Sequence, residues 1–194
     1  MIQAALRTEH LGQPVLVTAA YAATVRAQVA ILTTLSAQIT AMAEQVDAHC
    51  GQHPDAEIYL SQPSLGTILS TRVLAEFGDD AERYVDAKAR KNYAGTSPIT
   101  RQSGKKKIVL ARFVHNDRLI DALGRQAFAA LTASPGARAY YDELRGRGTG
   151  HHAALRQLAN RLVGILHGCL TTGTNYDEHT AWGHHHKQDQ QTAA

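Results

Sequence analysis

From position 15 to position 49 the chain contains neither Gly nor Pro, and apolar residues recur at Val25, Val29, Leu32, Leu35, Ile39, Met42 and Val46. These spacings of 4, 3, 3, 4, 3 and 4 predict one long helix with a heptad-like seam carrying a single three-residue slip. That pattern suits an antiparallel or dimeric coiled coil. Arg26, Glu44 and Asp47 are its Asp, Glu, Lys and Arg residues, and Ala, Thr, Ser and Gln fill most of the other faces. So weakly charged a helix is expected to pack on more than one side. Gly51 provides a left-handed cap and Pro54 blocks continuation, which ends the element near position 50. Ahead of it, residues 1–14 show no period and are interrupted by Gly12 and Pro14.

A second region runs from 55 to 172. Thr67–Phe77 reads as a short helix ended by Gly78, and residues 79–91 as another. Residues 93–112, punctuated by Gly95, Pro98 and Gly104, read as loop-rich. Asn116 is a good N-cap for a helix through Ala133, with Leu119, Ile120, Leu123, Ala127 and Leu131 on one face. Ser134, Pro135 and Gly136 make a turn into a helix over 137–145. Gly146, Gly148 and Gly150 form a hinge, and an apolar helix over 151–170 runs through Leu155, Leu158, Leu162, Ile165 and Leu166. Residues 173–194 are polar and rich in His and Gln, which predicts a mobile tail. The expected fold is all-α: a long coiled-coil-like connector over 15–50, then a compact helical domain over 55–172 with a loop-rich basic segment.

Composition agrees with helices. Aromatics make up 6% of the 194 residues, while Ala and Leu dominate a 44% hydrophobic share. No run of 18 consecutive apolar residues exists, and the first ten lack the basic start and apolar core of a secretory signal. A soluble cytoplasmic protein with no membrane partner is therefore expected. Cys50 and Cys169 are too few for a disulfide framework or a cysteine zinc cage.

Charge changes the picture more. Between Arg83 and Arg118 lie ten Lys and Arg residues against Asp86 and Asp117, a local net charge of +8 in a chain whose total is +3. An excess of that size is either the footprint of a polyanion site or a solvated basic loop.

Within this window, Ser103 precedes Gly104 and the run Lys105, Lys106, Lys107, with Arg101 just before. A serine that attacks a phosphodiester needs room for approach and positive charge against the developing phosphorane oxygens. Gly104 supplies the first, and Arg101 with the three lysines the second. Ser97 competes, but Pro98 restricts its backbone toward a turn. The plain alternative is a surface loop beside solvated lysines. Upstream, Ser64, Leu65 and Gly66 feed the helix at Thr67, so Gly66 either exposes backbone N–H groups to a phosphate or makes an ordinary turn between helices. His115 lies beside the Asn116 cap, as a phosphate contact or a surface histidine. His151, His152 and His184 to His186 are assigned no metal, and the three hinge glycines lack the context of a nucleotide loop.

Taken together these residues resemble a known family. Pro63, Leu65 and Gly66 lead to a helix ending Ala75-Glu76-Phe77-Gly78-Asp79. Ala94, Gly95 and Pro98 follow, then Ser103-Gly104 before lysines, the Asn116 helix start with Leu119, Pro135 with Arg138, Tyr140 and Tyr141, and a terminal helix over 159–166. Over about 120 residues, from Glu57 to Tyr176, this order is similar to the C-terminal transposase domain of insertion-sequence transposases that pair a RuvC-like DEDD domain with a catalytic serine. The Piv and MooV DNA invertases are relatives of that family. The preceding helix looks like the family's coiled-coil connector.

The resemblance implies that Ser103 attacks a DNA phosphate to form a covalent phosphoserine link, and that DNA, with a bridge RNA, is the partner. It implies nucleic-acid contacts from Gly66, Lys88, Arg90, Lys91, Arg101, Gly104, Lys105, Lys106, Lys107, Arg112 and Arg118. Magnesium is expected only with the DEDD carboxylates, usually from a partner subunit, so no cofactor is expected on this chain. Two departures stand out. Ser64 occupies a family glycine position, and Glu9 is the only acid before Glu44. The expectation is an N-terminally truncated transposase, inactive alone, that forms homo-oligomers or mixed oligomers with intact transposase through residues 15–50. The alternative is a non-catalytic helical module that binds DNA, oligomerises and interferes with intact transposase.

Overall fold

The computed structural model describes residues 12–183, and the chain divides into two compact units, one up to Gln45 and one from Val46 onward. The long helix forms as its pattern predicts: α1 spans Val15–Cys50. In the first unit Val25, Val29, Leu32, Leu35, Ile39 and Met42 are each more than half exposed, so the seam lies at the surface of its unit. The hydroxyls of Thr24, Thr33, Thr34 and Thr40 each donate to the carbonyl four residues back, which satisfies them without an outside partner. By length and composition alone α1 is also apolar enough to cross a membrane, although polar residues break its longest apolar run.

The second unit packs helices around one core. Its elements are α2 (Ala56–Ser61), α3 (Thr67–Phe77), α4 (Ala87–Tyr93), a hairpin of β1 (Ile99–Ser103) and β2 (Lys106–Leu110), then α5 (Asp117–Ala133), α6 (Pro135–Gly146) and α7 (His151–Thr172). The all-α class holds apart from this one two-stranded sheet. Helix α2 was not singled out in the sequence, and residues 79–91 do not form one helix. Two aspartates divide that segment: Asp80 accepts from the Glu82 amide to start a single 3₁₀ turn over Ala81–Arg83, and Asp86 accepts from the Ala89 amide at 2.6 Å to start α4. Short acidic side chains favour such caps over continued helix.

Helix α5 starts where Asn116 predicts, its side-chain oxygen accepting from the Arg118 and Leu119 amides. Leu119, Leu123 and Ala127 of the expected face are buried, while Ile120 and Leu131 lie at its edge. They meet Leu158, Leu162, Val163 and Leu166 of α7 and Val73 and Phe77 of α3. Each such side chain contributes about 1.5–3 kcal/mol on burial.

The core does not end at 172. Residues 178–183 are helical, and Trp182 is 1% exposed, with its ring centroid 5.8 Å from that of Tyr140. Glu178 accepts from the Gly136 amide at 2.7 Å and from the Ser134 hydroxyl at 2.9 Å, so a carboxylate closes the N-terminus of α6. Tyr176, whose hydroxyl donates to Glu178, is pushed up to about 12 by burial and that carboxylate. A side chain at Gly136 would run into the Trp182 ring. The reading of a mobile tail from 173 is thus corrected for residues 174–183. Its composition is polar, but one tryptophan and one glutamate dock it. Residues 1–11 and 184–194, with His184 to His186, lie outside the described residues.

Arg90 occupies the centre of the aromatic end of the core at 5% exposure. Its guanidinium lies 4.5 Å from the Tyr84 ring centroid and 5.0 Å from that of Phe77, and its Nε donates to His167 Nδ1 at 3.3 Å. Tyr59 shares this environment and is pushed up to about 12 by burial, partly opposed by Arg90. At the C-terminus of α3, Arg83 Nη1 and the Tyr84 hydroxyl both donate to the Phe77 carbonyl, and Gly78 takes φ +76°. A cation there complements the helix dipole.

His167 accepts from Arg90 only while Nδ1 is unprotonated. Burial first, then Arg90, holds its pKa below the usual 6.5, with Lys91 acting in the same direction and Asp86 against. As pH falls below about 6.5 the unfolded chain takes up a proton that the folded chain resists, so stability falls. Urea melts between pH 7.5 and 5 are expected to show this loss, and His167→Gln to flatten it relative to wild type.

Candidate functional site

The basic segment folds as an antiparallel hairpin instead of a loop. Its register pairs Ile99 with Leu110, Thr100 with Val109, Arg101 with Ile108, Gln102 with Lys107 and Ser103 with Lys106. Gly104 and Lys105 form the two-residue connection, with Gly104 at φ +55°. Positive φ at the first central residue alone matches the type II′ turn that suits the twist of paired strands. The signal was in the sequence: Gly-X between Ile99-Thr100 and Ile108-Val109. Five charged residues across the segment masked the alternation.

Pairing sorts the basic residues by face. Because side chains alternate along each strand, Ser103 shares a face with Arg101 and with its cross-strand partner Lys106, and Ile99, Ile108 and Leu110 continue that face toward the base. Directly opposed Cβ atoms lie about 4.5–5.5 Å apart, which puts the Lys106 stem beside the Ser103 hydroxyl. Lys107 projects on the other face with Gln102, and Lys105 sits in the turn. Residues 100–111 are exposed, and the Ser103 hydroxyl makes no hydrogen bond among the described residues. The arrangement offers a free hydroxyl between two cations, a geometry able to receive a phosphate.

The hairpin is exposed but its roots are fixed. Gly95, at φ +73°, packs so closely on His115 that an added Cβ would overlap the His115 Cβ. Thr96 is buried and donates to Asn160 Oδ1 of α7 at 3.2 Å. On the return strand Arg112 Nη2 donates to Asn92 Oδ1 of α4 at 3.1 Å. His115 closes the base, with Nδ1 at 3.1 Å from the Arg112 carbonyl and Nε2 at 3.1 Å from Asp117. Asn92 and Asn160 were not anticipated, since single asparagines in helices carry no sequence signal of a tertiary bond. The rival Ser97 is half-buried, its amide directed to the Lys91 carbonyl at 3.4 Å, which fits a turn role.

The remaining sequence candidates divide. Arg90 is corrected: it is buried among aromatic rings and unavailable to a phosphate. Lys91 is half-buried and lies over Gly164 of α7. Arg112 is tied to Asn92 at the hairpin base. Lys88 is exposed on α4, and Arg118 is exposed on α5 with Glu76 3.8 Å away. Gly66 is the exposed N-cap of α3 and has open space around it. Ser64 holds φ +61°, a left-handed conformation that favours glycine, so the backbone of the glycine-type turn persists despite the substitution.

Both cysteines are free thiols. Among the described residues no three His, Cys, Asp or Glu side chains converge.

Residues 56–142, which include the hairpin, match the family model described as Transposase IS116/IS110/IS902 family. The chain is 48% identical over 159 residues to the mini-circle putative transposase for IS117 of Streptomyces coelicolor, covering 75% of this chain and 38% of that protein. It is 31% identical over 154 residues to an uncharacterized 43.6 kDa protein of insertion element IS110 from the same organism, covering 75% and 36%. An uncharacterized 42 kDa protein of insertion element IS900 from Mycobacterium paratuberculosis is 35% identical over 120 residues, covering 61% and 30%. The chain thus spans between 30% and 38% of the length of these curated relatives. Over residues 56–142 the chain is similar to the transposase domain of the IS116/IS110/IS902 family.

Proposed function

We propose that this domain belongs to the DEDD/serine class of DNA recombinases, with Ser103 as nucleophile on a DNA phosphodiester. The supporting observation is the shared hairpin face of Ser103, Arg101 and Lys106. In the step, Ser103 Oγ bonds to phosphorus while the bond from phosphorus to the leaving sugar oxygen breaks, and the hydroxyl proton ends on that oxygen. Arg101 and Lys106 stand where charge grows on the non-bridging oxygens, the place where fixed cations stabilise a transition state most. Gly104 leaves the approach to Ser103 open, since nothing lies within 4 Å of a Cβ placed there.

Lys105, Lys107, Lys88 and Arg118 extend the basic surface along the nucleic acid, which is DNA with a bridge RNA that selects it. A divalent metal, magnesium, would supply Lewis-acid activation of the phosphate from a carboxylate domain working with this one. Acting alone the domain is proposed to be inert in strand transfer. The second reading, a non-catalytic DNA-binding module that interferes with intact transposase, draws on the lack of a hydrogen-bonded base at Ser103 among the described residues.

Helix α1 is proposed as the oligomerisation element, in a homo-oligomer or with intact transposase. Its exposed seam supports a coiled coil, because the apolar positions form a heptad-like line while Thr, Ser and Gln occupy other faces. Sedimentation of the purified chain should show a dimer or larger species that Leu35→Asp converts to monomer; a wild-type monomer would remove this role from α1.

For the chemistry, the chain is combined with a separate DEDD domain, element DNA and its RNA. A denaturant-resistant protein–DNA adduct is expected, absent in Ser103→Ala. Arg101→Ala and Lys106→Ala should slow adduct formation by roughly 100-fold, in the range of losing one transition-state donor. Lys107→Ala on the other face should slow it by less than about threefold, as expected of a positioning phosphate contact. DNA binding without any adduct would leave the binding module as the function.

A further inference from the structure

A second cationic feature lies within α4, α7 and the segment after Gly173, and the serine chemistry does not use it. A cavity of about 660 Å³ is lined along one stripe of α7 by Arg161, Gly164, Ile165, Gly168 and Thr172, with Lys91 of α4 facing that stripe. The stripe follows from helical spacing, since positions three, four, seven and eleven apart share a face. Thr174, Asn175 and Asp177 form another wall.

Two cations meet here without an acidic partner among the described residues. Lys91 Cε and Nζ would both lie 2.7 Å from a methyl group at Gly164, one turn from Arg161, so the absence of a side chain at Gly164 lets the ammonium lie against α7. Arg161 is held in place by the Ala181 carbonyl, 3.2 Å from Nη2, and by the Trp182 ring, whose centroid is 5.5 Å from the guanidinium carbon. The one carboxylate lining the cavity, Asp177, accepts through Oδ1 from the Thr180 amide at 2.8 Å and from its hydroxyl at 2.6 Å. Burial and then the nearby Arg161 lower the Lys91 pKa, the mark of an ammonium short of negative charge.

We propose that this cavity binds a phosphate-bearing ligand of nucleotide size, with Lys91 and Arg161 holding the phosphate and the apolar stripe of α7 receiving the heterocycle. The volume lies in the ordinary range for small-ligand sites and exceeds what inorganic phosphate fills. Thr174 and Asn175 supply hydrogen-bonding groups at the rim. The ligand is either a free nucleotide or one nucleotide of a strand, which present the same chemistry. This site stands apart from the proposal for Ser103 and does not rest on it.

Trp182 is the single tryptophan of the chain and touches Arg161, so its fluorescence reads the cavity directly. The purified full chain is titrated with inorganic phosphate, AMP and a 12-nucleotide single strand, with calorimetry alongside. AMP should give a saturable fluorescence change, with inorganic phosphate at least tenfold weaker. Lys91→Gln should weaken AMP by tenfold or more, and Gly164→Ala, which moves Lys91 without changing charge, should do the same. Far-UV circular dichroism checks that both variants fold. A response to the strand alone, lost in Lys91→Gln, assigns the site to a nucleotide within nucleic acid. No response to AMP or strand, equal binding of inorganic phosphate, or binding unaffected in Lys91→Gln overturns the proposal.

Discussion

The placement of the short helix α4 rests on one buried guanidinium. Arg90 sits over the rings of Phe77 and Tyr84 and donates to His167, which ties α4 to the end of α3 and to the C-terminal half of α7. Seven residues of helix have little stability of their own, so the tertiary contacts decide whether α4 exists. No carboxylate pairs with Arg90 among the described residues; the negative faces of the rings and a neutral imidazole stand in for one. That makes the position sensitive, because a buried cation kept by rings and one imidazole loses much of its support when that imidazole is protonated.

What α4 fixes is the hairpin. Asn92 receives Arg112 from the return strand, and Ala94 and Gly95 press against the core and His115 where the outgoing strand leaves. Thr96 then bonds to Asn160 of α7. The strands beyond these roots bury almost nothing, so their direction is set at the base and their register by the Gly104 turn. An exposed arm with a fixed root suits a task in which a polyanion must reach a serine from outside. Beside Arg90, Lys91 lies over Gly164 of the same helix α7, so adjacent residues of α4 serve the core and the cavity.

Much of the helical framework was legible in the sequence, for identifiable reasons. The 36-residue α1 lacks breakers, α3 ends at a glycine, and α5 begins at an asparagine whose side chain caps it as expected. The hairpin was not legible as a hairpin, because the consecutive lysines 105–107 hide a two-residue period and its strands have no buried face to enforce one. Arg90 was unreadable for a different reason. Nothing local separates a buried arginine from the exposed basic residues around it, since its partners Phe77 and His167 are 13 and 77 positions away. Trp182 shows the same limit, a single core residue in a polar stretch. The Ser103 neighbourhood lies between these cases: the residues were identifiable by type, but only pairing divides Lys106 from Lys107.

The hairpin face bearing Ser103, Arg101 and Lys106 is proposed to meet nucleic acid. Backbone amide chemical shifts of the isotopically labelled chain, followed during titration with a DNA duplex, test it most directly. The largest perturbations are expected on residues 99–110, centred on Arg101, Ser103 and Lys106, with α6 unaffected. Perturbations clustered on another surface while the hairpin amides stay in place would contradict it.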